Sequence, residues 1–326
     1  MNKLDLSQIQ TPVSNELLEF SKEFKKYLKS DIRLVEFAIR FILSQKGKKI
    51  RPLLVLLAAK ISGGVGDRSF RGASLVELLH TATLIHDDVV DKASKRRGLP
   101  SLNKIWGNKI SVLVGDFLLS KGLMISVEND DFDFLKTITN TVKKMSEGEL
   151  LQIYKAKKLD IDEETYFKII SYKTASLIST CCEIGARSTT DDLAKIEALR
   201  NYGEYIGIAF QIQDDILDFI GKTKIFGKVQ GGDLKEKKIT LPLIFALNNS
   251  SKEESKEIYR ALKKGVKEDE IEKIISFVIN NGGIDYSKGI AELYSQKAKD
   301  SLNIFEESDS KTALIKLIEF VVNREL

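Results

Sequence analysis

Two short acidic stretches carry the side chains best suited to chemistry: His86-Asp87-Asp88-Val89-Val90-Asp91 and Gln211-Ile212-Gln213-Asp214-Asp215-Ile216-Leu217-Asp218. Each has two adjacent aspartates and a third four residues after the first, inside a long apolar run, so helix is the natural conformation. On a helix, positions i and i+4 lie one above the other, which points Asp87 with Asp91 and Asp214 with Asp218. Like charges stacked this way repel, and burying such a stripe among apolar neighbours costs far more unless a cation joins it. A solvated acidic face would not need the apolar company of residues 75–85 and 205–212. The same spacing occurring twice points to a metal site shared by the two stripes.

Basic residues lie near both stripes. Gly47-Lys48-Lys49-Ile50-Arg51-Pro52 leads into an apolar run. Pro52 suits the first turn of a helix, leaving Lys48 and Arg51 at its amino end, where free backbone amides also attract anions. Taken alone, this is an ordinary basic helix start. His80 falls within about 20° of the Asp87 side of its helix, at about 100° per residue. Beyond Asp91 the chain runs Lys92-Ala93-Ser94-Lys95-Arg96-Arg97-Gly98. Cations at a helix carboxyl end can be a simple solvated cap. Paired arginines also suit metal-bound phosphate, because a guanidinium donates two parallel hydrogen bonds to phosphate oxygens. Tyr172-Lys173-Thr174-Ala175 lies in another apolar segment, where a lysine more often lays its stem along apolar surface than does chemistry.

The elements that must position these groups are helices. The four prolines are Pro12, Pro52, Pro100 and Pro242, and the apolar spacing is mostly helical, so an all-α fold is expected. The pattern predicts helices over 14–29, 31–43, 53–61, 67–92, 110–127, 134–156, 163–187 and 192–220. The 134–156 segment includes Glu147-Gly148-Glu149-Leu150-Leu151-Gln152. A Gly- and Lys-rich loop is expected over 221–238, and Thr240-Leu241-Pro242 restarts a helical pattern with breaks at 249–251 and 280–283. No repeat beyond the acidic pair and no long linker is visible, so residues 1–326 are read as a single domain.

A net charge of +4, from 51 basic and 47 acidic side chains, is a mixed surface and not the footprint of a nucleic-acid binder. Cys181 and Cys182, adjacent in an apolar helical run, are expected in the core of a protein from a reducing, cytoplasmic setting. Residues 1–13 lack the pattern of a secretory signal, and no run reaches the roughly 18 uninterrupted apolar residues of a membrane span.

Facing carboxylates ringed by Lys and Arg suit a polyanionic ligand that arrives with hard cations. Mg²⁺ prefers oxygen ligands and typically bridges one or two carboxylates to phosphate oxygens. The apolar interior suggests hydrocarbon for the rest, so a diphosphate ester of a greasy alcohol meets both demands.

At this point the chain resembles the trans-isoprenyl diphosphate synthases of the polyprenyl synthetase family. The likeness covers residues 47–324: the Lys48/Arg51 stretch, Asp-Asp-x-x-Asp before Arg-Arg-Gly, Lys173-Thr174, Gln211 with the second acidic set, and Gly283-Ile284-Asp285-Tyr286 with Tyr294, Lys297 and Ala298. The resemblance implies an isoprenoid-synthase-type bundle of mostly antiparallel helices around a deep central cavity, in a homodimer, with at most peripheral membrane contact. It implies that Asp87, Asp88, Asp91, Asp214 and Asp218 hold about three Mg²⁺ ions with the allylic diphosphate, Asp215 being less clearly part of the set. Arg96, Lys173, Thr174, Gln211, Lys228 and Lys238 would contact that diphosphate, and Lys48, Arg51, His80 and Arg97 would hold isopentenyl diphosphate. Asp87, Asp91, Arg96, Lys173 and Asp214 would carry the catalytic step.

In short-chain members, aromatic rings four or five residues before the first aspartate block the hydrocarbon path; here Thr83 and Ala82 stand there, with Leu79 and Val76 below. Val76 is about 16 Å from Asp87 along a helix rising 1.5 Å per residue. The expected product is therefore of heptaprenyl to nonaprenyl length, a precursor of a quinone side chain. A shorter-chain synthase and a non-catalytic subunit of a heteromeric synthase are the alternatives, the latter disfavoured by the intact carboxylates. The chain departs from the family at Val229, often proline, and at Lys237, usually glycine, leaving open whether Lys237 or Lys238 reaches phosphate.

Overall fold

The computed structural model describes residues 6–44, 47, 49–96, 98–221 and 230–322. Lys48, Arg97 and Lys228, three of the expected diphosphate contacts, lie outside the described residues. The chain begins with α1 (Leu6–Gln10), a 3-10 turn (Thr11–Val13), α2 (Ser14–Tyr27), α3 (Arg33–Ser44), α4 (Ile50–Ser62) and α5 (Asp67–Val90). A two-stranded hairpin follows, β1 (Lys95–Arg96) with β2 (Leu99–Pro100), then α6 (Leu102–Glu128), α7 (Phe132–Lys158) and α8 (Glu163–Ile170). A π turn (Ser171–Ala175) leads to α9 (Ser176–Arg187) and α10 (Leu193–Ile220). The remainder is α11 (Gly232–Lys235), α12 (Leu241–Asn249), α13 (Lys252–Lys264), α14 (Glu268–Asn280), α15 (Gly283–Asp300) and α16 (Asp309–Val322).

The all-α expectation holds, and local chemistry explains most boundaries. Asp192 caps α10 by accepting the amides of Ala194 (2.9 Å) and Lys195 (3.3 Å), donors that a helix start otherwise leaves without partners. Ser251 and Glu254 close a reciprocal capping box on α13. Pro52 sits in the first turn of α4 as expected. Three segments differ from the sequence reading. Residues 91–101 turn through a hairpin, with Lys95 opposite Pro100. Helix α6 starts eight residues early and kinks at Gly107, whose φ of 81° only glycine adopts readily. The 163–187 helix contains a wide turn in which the Ser176 amide reaches back to the Ser171 carbonyl.

Buried side chains form two clusters. The first gathers Phe20, Leu53–Leu57, Val76, Leu79, Leu177, Cys181, Cys182 and Leu314; the second gathers Tyr166, Ile170, Ile212, Ile216, Leu243, Ile274 and Ala291. Both cysteines are thus core residues, as expected. Helix α10 feeds both clusters, giving Leu199, Tyr202 and Ile206 to one and Ile208, Ile212 and Ile216 to the other. The fully buried Tyr202 donates its hydroxyl to the Leu314 carbonyl at 2.9 Å, which satisfies the one polar atom it takes into the core.

Contrary to the run-based expectation, α6 is long and apolar enough, by length and composition, to cross a membrane. Lys104, Lys109, Asp116 and Lys121 interrupt it, which is why no unbroken run stood out. Its most apolar window is 39% buried, and Ile105, Val112, Leu113, Met124 and Val127 on it are exposed.

Below the acidic motif, an ionic knot ties the start of α5 to the turn between α6 and α7. Asp131 accepts from Arg68 Nε (2.9 Å) and Arg71 Nε (2.7 Å), Arg68 also reaches Asp133 (2.6 Å) and the Arg187 carbonyl, and its guanidinium lies over Phe134. Burial pushes the Asp131 carboxyl up, but the hydrogen bonds and charges of Arg71 and Arg68 outweigh it and hold its pKa below the ordinary value. A depressed carboxylate contributes stability above its unfolded pKa and loses it as pH falls through the folded value. Asp131→Ala is therefore expected to cost about 3 kcal/mol near neutral pH. It should also flatten the acid limb of a melting-temperature series below the usual carboxylate range; a limb as steep as in the parent would place the acid sensitivity elsewhere.

Candidate active site

Helix α5 carries the first acidic set. Asp87 and Asp91 share one face of it, while Asp88, about 100° further round, turns into the protein and is buried. Asp88 Oδ1 accepts from Arg96 Nε at 2.7 Å and lies 2.7 Å from Arg96 Nη2 in an ion pair, and the Asp88 carbonyl accepts from Asn103 at 3.1 Å. Asp88, expected among the metal ligands, is thus placed on Arg96 and not beside Asp87 and Asp91; adjacent positions on a helix cannot face the same way. The hairpin carries this arginine on β1, opposite Leu99, from where it reaches Asp88 of α5. Asp87 has its pKa raised by burial, then by the charges of Glu149 and Asp91, against Lys173 and Arg96. Two acids crowding a half-buried third is a charge excess that a cation would relieve.

Opposite stands the wall built by the π turn and α10. Lys173 Nζ forms an ion pair with Glu149 at 2.5 Å and donates to Gln152 Oε1 at 2.7 Å, both on α7. Thr174 donates to Gln211 Oε1 (2.9 Å), Gln211 Nε2 donates to Asp215 Oδ1 (2.9 Å), and Tyr166 donates to Asp215 Oδ2 (2.7 Å). Burial, followed by the neighbouring charge of Asp233, pushes the Asp215 carboxyl up to about 8. Asp215 therefore acts as the buried acceptor that orients Gln211 and Tyr166. The wide turn needs glycine on both sides: a Cβ on Gly148 would meet Lys173 N at 3.0 Å, and one on Gly207 would meet Ala175 Cα at 2.6 Å. π turns of this kind bring backbone and side chains to places a regular helix cannot reach.

The loop before α12 completes the ring. Lys238 Nζ reaches Glu236 (2.5 Å) and Asp233 (4.0 Å), and Asp91 of α5 is close enough for its charge to act on it. The first acidic set, Lys173, Lys238 and the second acidic helix therefore surround one space. Lys237 turns the other way and donates to the Lys263 carbonyl at 3.1 Å. Its φ of 58° lies in the left-handed region, which is the physical reason glycine suits that position. Asp218, the last acid of the second set, receives the loop amides of Gly232 and Asp233 on its two oxygens, each at 3.1 Å. A pocket of about 100 Å³ is lined by Lys173, Thr174, Gln211, Asp215, Asp233 and Lys238 on its polar side. Ala156, Ile161, Ile169, Ile170 and Ile239 line its apolar side.

The remaining expected residues lie where α4 and α5 meet. Arg51 is in the first turn of α4, and His80 is buried on α5, about two turns below Asp87 on its face. Val76 and Leu79 are buried, and Thr83 is partly exposed with its hydroxyl on the His80 carbonyl (2.9 Å). Ala82 is also buried but sits about 140° round from Asp87, whereas Thr83 is only about 40° away. The sequence reading overlooked roles for Glu149, Gln152, Tyr166 and Asp233. Glu149 and Gln152 had a visible signal, acid and amide at i and i+3 on an amphipathic helix; Tyr166 and Asp233 had none.

Among the described residues, no group of three or more His, Cys, Asp or Glu side chains could hold a metal ion on its own. The donor set nevertheless fits Mg²⁺: all oxygen, supplied in pairs, with the rest of the coordination left to water and phosphate.

The chain is 34% identical to the octaprenyl diphosphate synthase of Haemophilus influenzae, over 99% of each. It is 35% identical to an all-trans-nonaprenyl-diphosphate synthase (geranyl-diphosphate specific) of Rhodobacter capsulatus, over 98% of this chain and 99% of that one. A crystal structure of a Caulobacter crescentus polyprenyl synthase, complexed with calcium and isoprenyl diphosphate, superposes with a TM-score of 0.91 at 34% identity over 100% of each chain. Residues 32–278 match the Polyprenyl synthetase family, and the chain belongs to it.

Proposed function

We propose that this protein is an all-trans polyprenyl diphosphate synthase that joins isopentenyl diphosphate to an allylic diphosphate such as farnesyl or geranylgeranyl diphosphate. Its product is of heptaprenyl to nonaprenyl length and serves as a quinone side-chain precursor. The observation that carries this reading is the convergence of Asp87, Asp91, Lys173 and Lys238 around one space beside the Gln211–Asp215 helix.

In this reading Asp87, Asp91 and Asp214 would hold Mg²⁺, which would supply Lewis-acid stabilisation of a departing diphosphate. Arg96 is aimed by Asp88, and Lys173 by Glu149 and Gln152, so their cations are already in place when charge develops on the leaving group and no reorganisation is needed. Arg51 and His80 hold the second diphosphate, and its double bond attacks the allylic cation. Loss of a proton then leaves a chain one isoprene unit longer. Orientation and exclusion of water carry the rate, with no protein nucleophile required.

The exposed apolar residues of α6, with Leu150, Ile153 and Tyr154 of α7, support a homodimer in which a second copy covers this face, because patches of this kind mark association surfaces. The enzyme works as one domain in the cytoplasm, with no more than peripheral membrane contact. Incubation with farnesyl or geranylgeranyl diphosphate, labelled isopentenyl diphosphate and Mg²⁺, followed by sizing of the products, is expected to give a ladder ending within the stated lengths. Absence of extension with every allylic starter would remove the proposal.

A further inference from the structure

The Asp218 carboxylate is turned onto the loop that follows α10. One oxygen accepts the amide of Gly232 and the other that of Asp233, each at 3.1 Å, while its carbonyl accepts the Gly231 amide at 3.0 Å. Three consecutive loop amides therefore end on one residue of α10. Gly231 makes this possible, with φ at 77° and a Cβ position only 2.6 Å from Ile271 Cγ2, so no larger residue fits the turn. The loop then passes its placement to Lys238: the Asp233 carbonyl accepts the Lys238 amide at 2.9 Å, and Leu234 between them is fully buried. Amides bound to a carboxylate are charge-assisted and stronger than neutral hydrogen bonds.

We propose that Asp218 is a positioning residue: its carboxylate clasps the backbone of the 230–238 loop, and so sets where Lys238 stands, instead of holding a metal ion. The proposal rests on the reading of Lys238 as a diphosphate contact, and it narrows the metal-binding set of the second motif to Asp214.

The test uses full-length protein and two independent breaks of the clasp. Asp218→Ala removes the acceptor; Gly231→Ala disturbs the turn and leaves every carboxylate in place. In metal-free, substrate-free protein, amide hydrogen exchange over 230–238 is expected to speed up in both variants and to stay at the parental rate in Asp214→Ala. With substrates, both should raise KM for the allylic diphosphate by about 10-fold or more, the usual scale for losing a supporting contact, while the Mg²⁺ concentration for half-maximal rate stays at the parental value. Parental exchange in Asp218→Ala would overturn the clasp. So would a rise in the Mg²⁺ requirement seen in Asp218→Ala but not in Gly231→Ala. The exchange measurement needs no turnover, so it decides the clasp even if the parent protein extends no allylic starter, the result that would instead remove the functional reading.

Discussion

Replacing Asp87 by alanine is expected to lower kcat/KM on the order of 10³-fold, the scale on which removal of one preorganised electrostatic group is felt. Asp87 sits on the cavity face of α5 with Asp91, and Glu149 and burial already disfavour its charge. Crowding acids in this way disfavours their charged forms unless cations join them, which is what the proposed metal role requires of Asp87. Asp214→Ala should match it, and both should raise the Mg²⁺ concentration needed for half-maximal rate. Asp88→Ala should behave differently. Its partner is Arg96, so the expected loss is about 10- to 100-fold with an unchanged Mg²⁺ requirement. Steady-state rates across a Mg²⁺ titration separate the two patterns. Equal shifts for Asp87 and Asp88 would mean that Asp88 leaves Arg96 and joins the metal.

Thr83→Phe is expected to shorten the product by several isoprene units. Thr83 lies about 40° from Asp87 on α5 and one turn below it, and its side chain is partly exposed, so a ring there projects along the line from the diphosphate end towards Leu79 and Val76. Ala82→Phe should shorten less and fold less well. Ala82 is 1% exposed and turned about 140° away, so a ring would press into packed core at a cost of about 1–3 kcal/mol. Product sizing and thermal melting on the two variants check both halves. An unchanged ladder from Thr83→Phe would show that the hydrocarbon takes another route.

The legible parts of this molecule were those written in periodicity. Asp87 with Asp91, the helical class, the placing of Pro52 in the first turn of α4 and the breaks at 249–251 and 280–283 all follow from spacing or from residues with one strong backbone preference. What spacing does not encode is which of two adjacent side chains faces the cavity. Asp87 and Asp88 have the same chemistry, and only the return of the 95–100 hairpin decides that Asp88 meets Arg96. Asp233 and Tyr166 join the site through the tertiary approach of the loop and α8 to Asp215, a contact between segments with no local mark. The choice between Lys237 and Lys238 likewise turns on one left-handed residue. Glycines 148 and 207 carry no local signal of their role, yet they are where two backbones touch the turn that carries Lys173.

That turn also changes the phase of the chain. Before it, Tyr166 and Ile170 point into one apolar cluster; after it, Leu177, Cys181 and Cys182 point into the other, and α10 makes the same transfer between Ile206 and Ile212, with Ile208 and Ala209 overlapping. Two neighbouring helices thus change allegiance at one level, with Gly207 against Ala175 at the crossing. Lys173, Thr174 and Gln211 sit on the seam between the two cores, so a core substitution in either cluster that shifts the seam would move all three side chains together.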